Sequence, residues 1–63
     1  MTRTQMAYNA AIAAEKRNLN AAWQADRQGR LKLAESHRRA AHAFRRQANA
    51  RLEEIRADES VNA

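Results

Sequence analysis

The sequence predicts an all-α protein, two helices folded back on each other as an antiparallel hairpin that dimerises into a four-helix bundle. The alternative is a single long helix in a coiled coil. Three observations lead there. Apolar residues recur at spacings of three and four on both sides of position 29. The chain has no proline and one glycine, Gly29, placed near its middle. At 63 residues it can form one small helical domain at most, and its commonest apolar residue is alanine, which buries little.

Helix 1 is expected over about 4–25. Thr2 and Gln5 make an S/T-x-x-Q pattern, which caps a helix start by exchanging side-chain and backbone hydrogen bonds. Tyr8, Ile12, Leu19 and Trp23 fall on one side of the helical wheel as a bulky seam. Ala7, Ala11, Ala14, Ala21 and Ala25 form a second ridge about 110° away, with Asn18 inside it as a polar residue expected to fix register. Apolar surface on two sides implies two neighbours.

The break is expected within Asp26–Arg30. Gly29 can take the left-handed conformation just past a helix end and stop helix 1. Asp26 could instead cap helix 2. A continuous helix would pay about 1 kcal/mol for Gly29. Asp26 and Arg30 interrupt the apolar seam, which favours the bend.

Helix 2 is expected over about 31–57. Its seam runs through Leu33, His37, Ala40, Ala41, Phe44, Ala48, Leu52 and Ile55. In the hairpin the two bulky seams are expected to cover each other, leaving the alanine ridge and the arginines outside. Asp58 and Glu59 oppose the dipole at a helix C-terminus, so fraying is expected near them, with a polar tail over 60–63.

The chain carries twelve lysines and arginines against seven acids, a net charge of +5. Such a balance favours polyanions, and it also keeps an alanine-rich helix in solution. Arg38-Arg39 and Arg45-Arg46 repeat at seven residues and so share one face. Arg38 and Arg45 form one row; Lys32, Arg39 and Arg46 form the next. These five are the candidate contacts to nucleic acid or an acidic protein, since guanidinium groups bind phosphate and carboxylate bidentately. No aromatic is interleaved with them, which argues for backbone contact over base stacking. Tyr8, Ile12, Leu19, Trp23, Leu33, Phe44, Leu52 and Ile55 are the candidates for packing against a partner or a second copy. Glu15 borders the helix 1 seam and is expected to pair across to helix 2, Arg51 being one candidate. Glu35 with Arg39 and Glu53 with Arg56 have the spacing of helical ion pairs.

The absence of cysteine removes disulfides and thiolate zinc sites. His37 and His42 are five apart and point about 140° from each other, so they cannot share a metal on one helix. No serine–histidine–acid set, phosphate loop or close acidic pair is present. The expectation is therefore a non-enzymatic chain without cofactor, metal or small-molecule ligand. No run is long enough for a membrane span. The apolar run Met6–Ala14 is too short for a secretion signal and contains Asn9, leaving the cytoplasm as the expected compartment. The functional expectation is a small regulatory protein, a homodimer whose arginine face meets nucleic acid or a nucleic-acid-handling complex. The alternative is a phage or mobile-element type inhibitor or adaptor that docks on another protein.

Overall fold

A computed structural model describes residues 1–62. Two helices, α1 (Arg3–Arg27) and α2 (Leu31–Asn62), pack against each other as an antiparallel hairpin about 51 Å long. The continuous helix is thereby excluded.

The predicted capping box starts α1. The Gln5 amide donates to Thr2 Oγ1 at 3.1 Å, and the Thr2 amide donates to Gln5 Oε1 at 2.9 Å. Gly29 ends the helix. It has φ +75°, the Arg30 amide donates to the Ala25 carbonyl at 2.8 Å, and the Gly29 amide donates to the Asp26 carbonyl at 3.0 Å. These are the two bonds of a Schellman turn, with Gly29 at the left-handed position. Only Gln28, Gly29 and Arg30 separate the helices. Asp26 does not cap α2; its carboxylate is bound elsewhere.

Small side chains decide what packs, since alanine at the contact lets two helix axes approach at the short end of their usual range. The buried residues of the hairpin are all alanine: Ala11, Ala14, Ala22 and Ala25 on α1, and Ala34, Ala41 and Ala48 on α2. The cross-helix contacts Asn18–His37, Glu15–Arg45 and Asp26–Arg38 set a register in which Ala25 lies near the level of Ala34, Asn18 near Ala41, and Ala11 near Ala48, each step being seven residues.

This overturns the expectation that the bulky seams cover each other. Leu19, Trp23 and Leu33 are exposed, and Tyr8, Ile12, Phe44, Leu52 and Ile55 are only half-buried. Ala11, Ala14 and Ala25 of the alanine ridge, expected outside, are in the interhelical core together with Ala22, while Ala7 stays exposed and Ala21 half-buried. Helix α2 also runs on to Asn62, past the fraying expected near Asp58. With no glycine or proline beyond position 57 nothing in the chain breaks it. The expected polar tail is helical over 60–62, and Ala63 lies outside the described residues.

Candidate functional site

Three polar contacts cross the interface and divide the cations into two groups. Asn18 sits among the alanines of α1. Its Nδ2 donates to the Ala14 carbonyl at 2.9 Å, and its Oδ1 lies 3.2 Å from His37 Nδ1. With the amide nitrogen already committed, Oδ1 is the acceptor and His37 Nδ1–H the donor. A polar residue bonded across an alanine interface fixes register, as the sequence suggested for Asn18.

The other two contacts are ion pairs. Arg45 Nε donates to Glu15 Oε2 at 2.9 Å, and Arg38 NH1 donates to Asp26 Oδ2 at 2.7 Å. Glu15 thus reaches Arg45 and not Arg51, which pairs instead with Glu54 at 2.8 Å. Arg45 lies closer to the level of Glu15 in the antiparallel register, which is why it wins. Asp26 raises the pKa of Arg38, first by its hydrogen bond and then by its charge. A raised guanidinium pKa leaves the pair intact from neutrality to strongly alkaline pH, since the cation is lost only above its folded value.

The two rows of cations expected on one outer face therefore have different fates. Arg38 and Arg45 lie along the flank nearest α1 and clamp the hairpin. Lys32, Arg39 and Arg46 lie about 100° further round α2, and among the described residues none of the three is within ion-pairing distance of a carboxylate. Neither Glu35–Arg39 nor Glu53–Arg56 closes to 4.0 Å. The outer row rises about 10.5 Å per seven residues and keeps its cations available.

The second candidate surface is the seam of α1. The arginine clamps locate it, because Glu15 and Asp26 lie on the same side of α1 as Tyr8, Leu19, Ile12 and Trp23. Trp23 is 56% exposed and Leu19 48%. The Arg27 guanidinium stacks over the Trp23 ring, 4.8 Å from its centroid. On α2 the buried alanines separate the arginine flank from Leu33 and Phe44, which emerge on the opposite face of the hairpin, while Leu52 follows the alanine stripe and is half-buried. The outward parts of the two seams therefore diverge.

No protein-family model matches the chain, and neither a curated protein nor a solved structure is significantly similar to it. Among the described residues no three acidic or histidine side chains converge as metal ligands, and no helix is long and apolar enough to cross a membrane.

Proposed function

We propose that the chain is a small, non-enzymatic regulatory binding protein that acts as a dimer of hairpins and contacts nucleic acid, or a complex that handles it, through one face of α2. The observation that carries this reading is the outer row Lys32, Arg39 and Arg46, evenly spaced and unclaimed by any carboxylate among the described residues. Arg38 and Arg45 contribute field but are held by Asp26 and Glu15. A four-helix bundle of two hairpins would cover one of the two exposed apolar seams and leave this row outside.

Phosphate contacts release condensed counterions, so affinity falls with salt by a slope of about 0.9 per contact on duplex DNA. Fluorescence anisotropy against duplex and single-stranded oligonucleotides across a salt series measures it. Replacing Lys32, Arg39 and Arg46 together with glutamine should lower the slope by roughly three. The reading fails if no oligonucleotide binds at low salt, or if the triple variant binds with an unchanged slope.

A second reading, a phage or mobile-element type inhibitor or adaptor, is favoured by Trp23 and Leu19 standing exposed beside arginine, the residue types that dominate interface hot spots. Capture of one partner protein that persists in nuclease and moderate salt, and is lost in Trp23→Ala, selects it over the first.

A further inference from the structure

The apolar seam of α1 is a palindrome. Tyr8, Ile12, Leu19 and Trp23 are spaced by four, seven and four residues. Read from either end, the seam places a large side chain at the same positions, with the midpoint between Glu15 and Lys16. Such a pattern is self-complementary across a two-fold axis, the isologous contact of a symmetric dimer. We propose that a second copy of this chain docks antiparallel on this seam, α1 against α1. Tyr8 of each copy then meets Trp23 of the other, and Ile12 meets Leu19.

Charge supports the same register. Residues 1–52 hold eleven basic and three acidic side chains, a net of +8, whereas residues 53–62 hold one basic and four acidic, a net of −3. In the hairpin the acidic stretch is the free end of α2, at the opposite end from Arg27 and Arg30 beside the turn. The two-fold axis that superimposes the seams carries the acidic end of one copy to the turn of the other, and Asp58 arrives level with Arg30. A parallel pairing would instead place acid beside acid and turn beside turn.

Area points the same way. The hairpin exposes 5028 Å² for 7.2 kDa, where a compact monomer of that mass exposes about 4,100 Å². The excess, roughly 900 Å², matches the 800 Å² or so that each partner contributes to a stable interface. The inference rests on the dimer reading given above and adds its face and orientation.

Two measurements on nuclease-treated protein test it. The wild-type chain should weigh twice its monomer by light scattering. Leu19→Glu, on an exposed position outside the alanine core, should halve that mass while keeping its helical circular dichroism. Because the chain lacks cysteine, Ile12→Cys and Leu19→Cys report register directly. Mixed and oxidised, they should give a heterodisulfide several-fold in excess of either homodisulfide. Like positions sit about 10.5 Å apart along the axis in this register, beyond disulfide reach. If Leu19→Glu unfolds, the disulfides alone decide. A wild-type monomer overturns both this proposal and the dimer reading. A dimer that resists Leu19→Glu, or that yields homodisulfides in preference, overturns this face and leaves the dimer standing.

Discussion

Single residues hold the hairpin in its bend and register. Gly29 occupies φ +75°, a conformation that costs an L-residue about 1 kcal/mol or more. A Cβ added there would meet nothing within 4 Å. The cost of Gly29→Ala is therefore conformational alone, and chemical denaturation should show a loss of about 1 kcal/mol. Gly29→Asn should lose less, because asparagine tolerates that conformation. A loss of several kcal/mol would mean that the turn is packed in a way this geometry lacks. Asn18 acts differently, as the polar residue whose bond to His37 forbids the helices from sliding by one alanine step. Both roles were legible from residue type: a lone glycine between periodic segments, and one amide inside an alanine ridge. The partner of Glu15 was not, because the choice between Arg45 and Arg51 depends on the helical register, and register depends on the turn.

At the scale of elements, the packing face of each helix is what sequence reading assigned the other way round. Hydrophobic size pointed to Leu19, Trp23, Leu33 and Phe44 as the interhelical core, since large side chains gain most on burial. Small side chains let two helices approach closely, and Ala34, Ala41 and Ala48 pack on the face of α1 that carries Ala11, Asn18 and Ala25. That pattern was present in the sequence, but so were the all-alanine runs Ala7–Ala14–Ala21 and Ala43–Ala50–Ala57, so spacing alone did not single it out. It follows that Ala41→Leu, at a position 2% exposed, should overpack the interface and lower stability by about 1–3 kcal/mol. Thermal or denaturant unfolding measures this, and a stabilised Ala41→Leu would show that the helices are not held close. Helix ends followed their local signals at Thr2 and Gly29 but not at Asp58, where an unfavourable dipole contact is too weak to stop a helix with no breaker.

For the whole molecule, the consequence of an alanine core is an unfinished surface. Seven buried methyl groups contribute less than about 6 kcal/mol, while the large apolar side chains that would normally sustain so small a fold remain in contact with water. The same inversion sorts the cations, since it draws Arg38 and Arg45 to α1 as clamps and leaves Lys32, Arg39 and Arg46 without an ion pair among the described residues. The all-helical form was readable from periodicity, and the bend from Gly29 and from Asp26 and Arg30 interrupting the seam. Which surfaces it leaves outside was not, and function depends on those surfaces. The central claim is that the α1 seam faces water in the hairpin and is covered by a second copy. Trp23 is the only tryptophan, so its fluorescence, followed together with mass as protein concentration rises, tests that claim most directly. The account predicts red-shifted, readily quenched emission while the mass is that of a monomer, and a blue shift with falling quenching as the mass doubles. Blue-shifted, shielded emission from a monomer would place Trp23 inside the hairpin and contradict the account.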